Sequence, residues 1–411
     1  MSWFELGLDL PPDPIAIAQR LARRESVVLA RDAAVTYVAC DPVERSESLD
    51  PEPGRFRAPQ PYGELPRWFG MVPYEALRDW ELVRDARPPA LVKRPLWLRY
   101  RALVRIGARV DVLGEDERTA RELVSALTEA PRPSEVALRL SEPIEPEAAH
   151  RARVHSALAE IARGTIYEVN LARRLCLRVT GHAWDLLAAL ERRGPQPHGF
   201  ALGDGDLSIV AATPELCLRL EASGKLTTSP IKGTRPRSGD AETDRRLAEE
   251  LEHDPKERAE LTMIVDVERN DFGKVAEIGS VQLALSPRVV SLPSVHHRVA
   301  TIEAQLRPDV DRAGLLRAVL PSGSVTGAPK RRAMELIADF EPHRRGLYTG
   351  VVGFIRHDGG LELKMAIRTL VCRGSVGHYF SGGGIVADSV PAREVEETLW
   401  KASELFHLTD S

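Results

Sequence analysis

The 411-residue chain is predicted to adopt an α+β fold, and three observations predict it. Segments with alternating or densely β-branched residues end in glycine-containing turns, which is typical of antiparallel hairpins. Helical segments occur in blocks between these strands and do not alternate strictly with them. A proline-rich stretch divides the chain. We therefore predict a first lobe of residues 1–130, a linker of residues 131–146 and a catalytic lobe of residues 147–411.

The first lobe begins with a short predicted helix at residues 14–24 (PIAIAQRLARR). The segments SVVLA and VTYVAC follow, and both are dense in β-branched and apolar residues, so they are predicted as strands. LWLRYRALVRI and ARVDVLG (residues 96–114) are predicted as another pair of strands on the same grounds. Residues 115–130 (EDERTARELVSALTEA) form the last predicted helix before the linker.

The second lobe opens with an amphipathic helix at residues 147–163, followed by a strand in GTIYEVNLARRLCLRV. LCLRLEASGKLTTSPI alternates around Ser223-Gly224 and is predicted as a hairpin. Of the two helices that come next, the second has a clear start, with Asp254 as N-cap and Pro255 at the first helical position. These features predict a hairpin followed by a helical block.

The C-terminal part is predicted as a strand meander and a closing helix. VVGFIRHDGGLELKMAIRTLVCRGSVGHYFSGGGIV turns at Asp358-Gly359-Gly360 and again at Gly374-Ser375. PAREVEETLWKASELF then has the pattern of a helix that begins at a proline.

Composition excludes several classes of protein. Hydrophobic residues make up 43% of the chain, enough for a large core, and the net charge is −4 without a basic stripe. This pattern excludes a nucleic-acid or membrane-surface protein, and the N-terminus has neither part of a signal peptide. The four cysteines are far apart in apolar contexts, which predicts buried thiols in a reducing compartment. The expectation is a soluble, cytoplasmic enzyme.

Two predicted helices each carry an acidic repeat, Glu257 with Glu260 and Glu394 with Glu397. The i,i+3 spacing puts each pair on one helix face. If the two faces met, their oxygens would suit Mg²⁺, which binds a few carboxylates together with substrate oxygens and water. The alternative is a pair of ordinary solvated faces, on which Glu397 and Lys401 form an i,i+4 ion pair.

Two glycine-containing segments could bring backbone close to an anion. Residues 321–337 (PSGSVTGAPKRRAMELI) form a loop of small residues that enters a helix with Pro329 at its first helical position, where free amides attract anions. The Gly-Lys-Ser/Thr of a phosphate loop is missing, so nucleotide binding is excluded while carboxylate binding stays open. Residues 381–389 (SGGGIVADS) are the second segment, with a tight turn as the alternative.

Three cationic or titratable positions stand out. The adjacent histidines of VHHRV (295–299) lie on opposite faces of a predicted strand, so one could face a site. Arg368 lies in an otherwise apolar strand and requires a carboxylate from the protein or a ligand. Lys232 follows a strand-like run in SPIKGTRPR and is a candidate nucleophile or base, because a lysine near cations or out of water loses its proton more easily. The alternative for Lys232 is a solvent-facing or salt-bridged lysine.

Several of these motifs together resemble the chorismate-utilising enzymes. They are PIKGTRPR, ERAELTMIVDVERND (257–271), VHHRV, GSVTGAPKRRAMELI, YTGVVGF, AIRT and GGGIVADSVPAREVEETLWKA. The resemblance runs from about residue 147 to 407 in the order of the family, and RWFGMVPYEA (67–76) resembles its first lobe more loosely. It implies a two-lobed antiparallel β-sheet sandwich with helices packed between and around the sheets.

The lysine at position 232 makes the resemblance closest to family members that aminate chorismate at ring carbon 4. Members that form anthranilate typically have alanine there. The resemblance implies that Lys232 attacks ring carbon 2 and expels the hydroxyl at carbon 4, after which ammonia adds at carbon 4 and releases the lysine. It also implies that Glu215 is the acid/base and that His297 lies near the leaving hydroxyl.

The resemblance further implies the metal ligands and the substrate contacts. Mg²⁺ would be held by Glu260 and Glu397 directly and by Glu257 and Glu394 through water. The ring pocket and the contacts to the two carboxylates of chorismate would come from Gly233, Thr234, Thr326, Tyr348, Arg368, Gly382, Gly383, Gly384 and Lys401.

Ammonia is expected from a partner, because no cysteine lies in a Gly-x-Cys-x-Gly elbow and no glutaminase domain is predicted. The resemblance implies a separate glutamine amidotransferase subunit. It also implies that no lyase step removes pyruvate, so the product keeps its enolpyruvyl group. An anthranilate-forming enzyme and a non-catalytic chorismate-binding subunit are the alternatives. The chain departs from the family pattern at Met71, Glu168 (in place of glutamine), Arg298 and Ala300.

Overall fold

The structure is a computed structural model that describes residues 3–32, 35–53, 62–78, 87–191, 197–292 and 295–406. The outer ends of both predicted lobes, residues 1–2 and 407–411, lie outside these ranges.

The strands are numbered in chain order. They are β1 (Phe4–Leu8), β2 (Val28–Asp32), β3 (Val35–Ala39), β4 (Glu44–Ser46), β5 (Pro66–Val72), β6 (Leu96–Arg99), β7 (Ala102–Ile106), β8 (Val110–Gly114), β9 (Ala137–Leu140), β10 (Glu168–Thr180), β11 (Phe200–Asp204), β12 (Leu207–Ala211), β13 (Leu216–Leu220), β14 (Lys225–Ser229), β15 (Ile231–Pro236), β16 (Gln282–Ser291), β17 (Val295–Gln305), β18 (Gly327–Ala328), β19 (Val351–Arg356), β20 (Leu361–Met365), β21 (Thr369–Arg373) and β22 (Val376–Ile385).

The helices are numbered in the same way. They are α1 (Pro14–Arg20), α2 (Tyr74–Arg78), α3 (Glu117–Leu127), α4 (Glu147–Ala162), α5 (Ala183–Leu190), α6 (Ala241–His253), α7 (Pro255–Gly273), α8 (Arg312–Val319), α9 (Gly323–Thr326), α10 (Lys330–Phe340), α11 (Pro391–Lys401) and α12 (Ser403–Phe406).

The strands form two antiparallel sheets. The first has the order β1-β8-β7-β3-β2-β11-β12-β21-β22-β10-β18, with β9 also paired to β10. The second has the order β15-β17-β14-β13-β20-β19-β5-β6-β4, with β16 also paired to β17. Two antiparallel sheets with helices around them confirm the predicted α+β class.

Both sheets contain strands from either side of the proline-rich stretch 131–146. In the first sheet β2 pairs with β11, and in the second β5 pairs with β19. The predicted linker itself contributes β9, which pairs with the end of β10. The stretch therefore separates chain segments that share both sheets, and its role as a domain boundary stays a prediction.

The core between the sheets is built from inward-facing apolar residues of both. Phe69 of β5 and Phe354 of β19 lie in one buried cluster with Phe200 of β11 and Ile209 of β12. The rings of Phe69 and Phe354 have centroids 5.9 Å apart. Each fully buried side chain of this size contributes about 1.5–3 kcal/mol to folding. The inward-facing apolar side chains of both sheets thus pack against one another and hold the sheets together as one sandwich.

Helices cover the outer faces. A buried cluster joins α1, α3 and α5 to the first sheet, and a second joins α7 and α8 to the second sheet. The start of α7 is as predicted, because Asp254 accepts hydrogen bonds from the backbone N–H groups of Lys256 and Glu257 and Pro255 is the first helical residue. This cap sets where the acidic face of α7 begins.

The hairpin turns are also as predicted. Gly224, Gly359 and Gly374 have φ values of 83°, 89° and 56°, in the left-handed region that favours glycine. They connect β13 to β14, β19 to β20 and β21 to β22.

Two local predictions were wrong. The segment 96–106 is not one strand, because the chain leaves the second sheet after β6 and enters the first at β7, and Tyr100 between them is buried with its hydroxyl donating to Ser26 O. Pro329 is the residue before α10 and not its first helical residue.

Candidate active site

A cavity of about 580 Å³ lies where the two sheets meet helices α7 and α11. Its walls come from β15, β17 and β22, from the short helix α9, and from the connections before β13 and between β20 and β21. Cavities of this size hold metabolite-sized ligands. It is therefore the candidate active site.

The cavity brings together most of the residues predicted as site residues. All of them line it except Thr326, Gly383 and Glu394. Thr326 is fully buried and its hydroxyl donates to Ser322 O at 2.8 Å, so this hydroxyl is engaged with the protein, and a contact between Thr326 and the substrate stays a prediction. Gly383 and Glu394 lie behind the wall, next to each other.

Lys232 extends from β15 into a ring of carboxylates. Its Nζ donates to Glu168 Oε1 at 2.8 Å and lies 3.7 Å from Glu260 Oε2. Its side chain is 10% exposed, and that of Glu168 is fully buried. The alternative of a solvent-facing lysine is therefore excluded, while the salt-bridged alternative describes the resting amine.

The groups closest to the Lys232 amine are acidic, whereas the sequence predicted cationic neighbours. Burial alone would lower the pKa of this amine, but the carboxylates of Glu168 and Glu260 outweigh burial and raise the pKa above its ordinary value. The amine is therefore protonated at rest. It needs a proton acceptor before it can act as a nucleophile.

Glu168 is the acceptor closest to the amine, and the packing around it is tight. A Cβ built on Gly384 of β22 would lie 2.2 Å from Glu168 Oε1 and 3.2 Å from Lys232 Nζ. Glycine at this position therefore makes room for the lysine–carboxylate pair. The second oxygen of Glu168 is buried and has no hydrogen-bond partner among the described residues.

Glu215 lies directly before β13 and is 5% exposed. Burial raises its pKa to about 7, although the hydroxyl of Ser324, which donates to Glu215 Oε1 at 3.0 Å, acts in the opposite direction. A carboxyl with a pKa near neutrality can both give and take a proton at physiological pH. Its place in the wall therefore suits an acid/base.

The two adjacent histidines of β17 face opposite ways, as predicted. His296 is held by Asp244 of α6 and by Ser291, at 3.1 and 2.8 Å. His297 lines the cavity, where its Nδ1 lies 2.9 Å from Thr234 Oγ1 and its Nε2 is buried with no hydrogen-bond partner among the described residues. Burial, and then the charge of Arg368, lowers the pKa of His297 to about 4, so the ring is neutral.

Arg368 lines the cavity from the connection between β20 and β21, and not from a strand as predicted. Its φ is 48°, a conformation that non-glycine residues rarely adopt and that is often held at functional sites. No hydrogen bond or ion pair to its guanidinium occurs within the described ranges. This half-buried cation is therefore free to bind a carboxylate of a ligand.

The two acidic helix faces meet at the cavity. Glu257 and Glu260 of α7 line it, as does Glu397 of α11, while Glu394 is buried beside Lys256, whose Nζ lies 3.0 Å away. Burial raises the pKa of Glu260 to about 7, and burial together with the charge of Glu397 raises that of Glu257. The site thus holds more negative charge than its lysines neutralise.

The carboxylates fit a magnesium ion that has substrate and water among its ligands. No three histidine, cysteine or acidic side chains form a ready-made metal centre in the part of the chain that the structure describes. However, Glu260 Oε1 and Glu394 Oε2 are buried oxygens without hydrogen-bond partners. Mg²⁺ commonly takes one or two carboxylates and completes its shell with water and substrate oxygens.

The remaining predicted site residues also line the cavity. Gly233 has a φ of 77°, in the left-handed region that favours glycine, and a Cβ there would lie 2.6 Å from Leu251 Cδ1. Lys401 Nζ pairs with Glu397 Oε1 at 2.6 Å and donates to Gly382 O at 3.0 Å. The ring of Tyr348 stacks on Phe380 with centroids 5.3 Å apart.

The site contains residues that sequence reasoning did not select. Glu168 was noted only as a departure from a family pattern, and that departure was the available signal. Lys256 precedes the first acidic repeat, so the i,i+4 spacing to Glu260 could have indicated it. Asn170 lines the cavity with a buried, unpartnered Oδ1, and it lies in the same motif as Glu168.

The four cysteines are buried and free, as predicted. No helix within the described ranges is long and apolar enough to span a membrane.

Comparison with known proteins agrees with this geometry. The family model described as chorismate binding enzyme matches residues 19–407. Anthranilate synthase component 1 of Thermus thermophilus is 44% identical over 252 residues, which are 61% of this chain and 54% of that protein. Aminodeoxychorismate synthase component 1 of Salmonella typhimurium is 34% identical over 409 residues, covering 97% of this chain and 88% of that protein.

This chain covers only about half of the length of most of the curated relatives that it matches. Among solved structures, the crystal structure of anthranilate synthase component I from Streptococcus pneumoniae superposes with a TM-score of 0.72 at 25% identity. That superposition covers 98% of this chain and 91% of the other. The names of the relatives divide between two activities.

Proposed function

The chain belongs to the chorismate binding enzymes, and from this membership and the geometry of the cavity we propose that it aminates chorismate at ring carbon 4. The product would be 4-amino-4-deoxychorismate, a precursor of 4-aminobenzoate and folate, and the activity would be that of an aminodeoxychorismate synthase component 1. The observation that carries the proposal is the amine of Lys232, which lies in the cavity wall 2.8 Å from a buried carboxylate.

The first step needs a neutral lysine and a protonated leaving group. Glu168 takes a proton from Lys232, whose amine then forms a bond to ring carbon 2. The double-bond electrons shift and the bond between carbon 4 and its hydroxyl breaks. Glu215 gives its proton to the departing oxygen, which leaves as water. Without that proton hydroxide would be a poor leaving group.

The second step reverses these proton transfers. Ammonia forms a bond to ring carbon 4, the double bond shifts back and the bond between carbon 2 and the lysine nitrogen breaks. The new ammonium group gives a proton to Glu215, and Glu168 returns its proton to Lys232. Chorismate and ammonia thus become 4-amino-4-deoxychorismate and water, and both carboxyl groups regain their starting protonation.

The acidic helix faces are proposed to hold Mg²⁺. Glu260 and Glu397 would bind it directly, and Glu257 and Glu394 through water. When bound, the ion would neutralise and anchor the ring carboxylate of chorismate, which assists the departure of the nearby hydroxyl. Arg368 supports binding of the second carboxylate, because its guanidinium faces the cavity without a protein partner.

Neutral His297 suits the place near the leaving hydroxyl. Its Nε2 faces no protein partner, and the imidazole would hydrogen-bond the oxygen at carbon 4 without adding charge. Ammonia is proposed to come from a separate glutamine amidotransferase subunit. In support, several relatives are named as component 1 of their enzymes.

An anthranilate-forming activity is the second candidate, because the Thermus thermophilus relative at 44% identity is named for it. It would release pyruvate and give a fluorescent product. A chorismate-binding subunit without catalysis is a third reading, and Lys232, Glu215 and four convergent glutamates weigh against it, since binding alone would not require them.

One assay separates these candidates. The protein is incubated with chorismate, Mg²⁺ and an ammonium salt, and the small molecules are analysed by mass spectrometry. The proposal expects 4-amino-4-deoxychorismate without pyruvate. Anthranilate with pyruvate would replace the proposal by the second candidate, and thermal stabilisation by chorismate without turnover would replace it by the third.

The covalent route is tested with Lys232→Ala, and Lys225→Ala, at a lysine of β14 outside the cavity, serves as the control for losing a lysine. We expect Lys232→Ala to lose a lysine–chorismate adduct seen by intact-protein mass spectrometry and to lower amination by at least about 10²-fold. Full amination by Lys232→Ala would show that the lysine forms no essential bond.

A further inference from the structure

Two buried carboxyl groups, one in the cavity wall and one behind it, are joined by two serine hydroxyls. Ser324 Oγ donates to Glu215 Oε1 at 3.0 Å and lies 2.9 Å from Ser322 Oγ. Ser322 Oγ lies 2.5 Å from Glu268 Oε1. The side chains are all buried, with exposures of 3–6%, and Glu268 belongs to α7, outside the cavity. We call this series the Glu215–Glu268 chain.

The number of protons in this chain is limited. It contains three hydrogen bonds between four oxygen atoms, and each bond needs one proton. A serine hydroxyl has one proton to donate, so the two serines supply two. An ionised carboxylate supplies none. With both serines donating to the carboxyl groups, the contact between Ser322 Oγ and Ser324 Oγ would hold no proton. A hydrogen bond in all three contacts therefore requires a third proton on one carboxyl group, with the other ionised.

The two arrangements differ only in direction. When Glu215 holds the proton, the Ser324 hydroxyl turns from donor to acceptor, so that Glu215 donates to Ser324, Ser324 donates to Ser322, and Ser322 donates to ionised Glu268. When Glu268 holds the proton, all three hydrogen bonds point the other way. Shifting one proton across each hydrogen bond converts one arrangement into the other without breaking the chain.

The charged groups around the Glu215–Glu268 chain favour a single negative charge on it. Glu215 faces Lys232 and Lys401, and Glu268 faces Lys330 and Asp271, with the thiol of Cys217 near both carboxyl groups. Asp271 is itself paired, with Lys330 at 2.6 Å and Lys274 at 2.7 Å. Burial raises the pKa of both glutamates to about 7, so two negative charges here are unfavourable at neutral pH.

We propose that Glu268 is a positioning residue that shares one proton with Glu215 through Ser322 and Ser324, and so keeps Glu215 in its acid form. The effect on catalysis rests on the proposed function, which makes Glu215 the donor to the leaving hydroxyl. An ionised Glu268 at the far end favours the arrangement in which Glu215 is protonated and its acid proton is available to the reaction.

The shared proton is measured without substrate. Infrared difference spectra of protein with ¹³C-labelled glutamate are recorded across a pH titration, and the carboxyl band of Glu215 is the one that Glu215→Gln removes. In the wild type this protonated band should persist to above about pH 7. In Glu268→Gln it should be lost about one pH unit lower, because the neighbouring charge and proton partner are gone.

A second variant separates the hydrogen-bond chain from simple charge repulsion. Ser322→Ala keeps the charge of Glu268 but breaks the chain, so it should shift the band in the same direction. Ser322 also caps α9, and Asp311→Ala, which removes the cap of α8, is the control for that loss. Asp311→Ala should leave the band unchanged. An unshifted titration in Glu268→Gln, or in folded Ser322→Ala, would overturn the proposal.

Turnover provides a second readout. The pH at which the rate falls on the alkaline side should drop in Glu268→Gln by the same amount as the infrared band, whereas a merely structural role would lower the rate at every pH equally. If the protein does not aminate chorismate, the infrared titration still decides whether the proton is shared. If the proton is not shared, amination is still detected.

Discussion

At the scale of single residues, the pair formed by Lys232 and Glu168 sets the chemistry of the site. Sequence reasoning placed the lysine correctly in the cavity but expected cations around it, because Arg235 and Arg237 follow in the chain. The structure turns these arginines to Asp254 and Asp244 and puts carboxylates at the amine instead. Neighbours from the other sheet and from α7, and not residues next to Lys232 in the chain, therefore set the protonation of its amine.

Replacing Glu168 tests this pair. Glu168→Gln removes the nearest carboxylate that holds the pKa of Lys232 high, so the amine should become reactive at a pH at least about one unit lower. The reaction of Lys232 with an amine-modifying reagent, followed by peptide mass spectrometry across pH, measures this directly. Glu168→Asp, which keeps the charge, is the control. An unchanged reactivity profile in Glu168→Gln would remove Glu168 from the mechanism.

Gly384 offers a second test at this scale. In Gly384→Ala the new methyl group meets Glu168 Oε1, so the lysine–carboxylate pair must move. We expect a loss of about 1–3 kcal/mol in the free energy of unfolding and a loss of amination of at least about 10²-fold. Gly239→Ala is the matched control, because a Cβ there meets nothing within 4 Å. Wild-type activity in folded Gly384→Ala would contradict the packing argument.

At the scale of elements, α7 and α11 matter because each presents acidic residues at i,i+3 spacing. The spacing alone could not show that the two faces meet, because it is equally typical of solvated helices. Strand β22, which pairs with β10 in one sheet, brings Gly383 beside Glu397 and Glu394 of α11. Tertiary packing thus brings the acidic repeats to the cavity.

Glu397→Gln tests the proposed metal site. We expect the variant to need at least about tenfold more Mg²⁺ for half-maximal amination, because removal of one carboxylate ligand weakens metal binding. The same titration is followed by Mg²⁺-induced thermal stabilisation. Glu249→Gln, an exposed carboxylate on α6, is the control. Identical magnesium titrations for wild type and Glu397→Gln would exclude this ligand.

Much of the secondary structure follows from local sequence. The cap at Asp254 and the glycine turns of the hairpins were predictable, because their signals lie within a few residues of one another. The division of 96–106 between two sheets was not, since both halves have the same strand-like composition. The Glu215–Glu268 chain could not be predicted either, because its four residues come from three separate segments of the sequence.

At the scale of the whole molecule, buried carboxyl groups make stability depend on pH. The unfolded chain releases the proton of a glutamate at about pH 4.5, whereas folded Glu260 keeps its proton, and Glu215 and Glu268 keep the one that they share, to about pH 7. Between these values the folded state binds more protons, so this contribution to stability is lost as pH rises.

The prediction from this linkage is a pH-dependent difference between two proteins. Relative to the wild type, Glu268→Gln should lose less free energy of unfolding between about pH 5 and about pH 8, because Glu215 then releases its proton at a pH closer to the unfolded value. Urea unfolding across this range measures it. Parallel curves for the two proteins would show that Glu268 does not help Glu215 to hold a proton in the folded state.

The pairing of β5 with β19 has a consequence for biosynthesis. On the ribosome β19 emerges about 280 residues after β5, which at typical translation speeds is a delay of roughly 15–55 seconds. During that time the apolar edge of β5 has no native neighbour on its β19 side, and neither does β2 on the side that later joins β11. These unpaired strand edges leave the nascent polypeptide exposed to aggregation until most of it has been made.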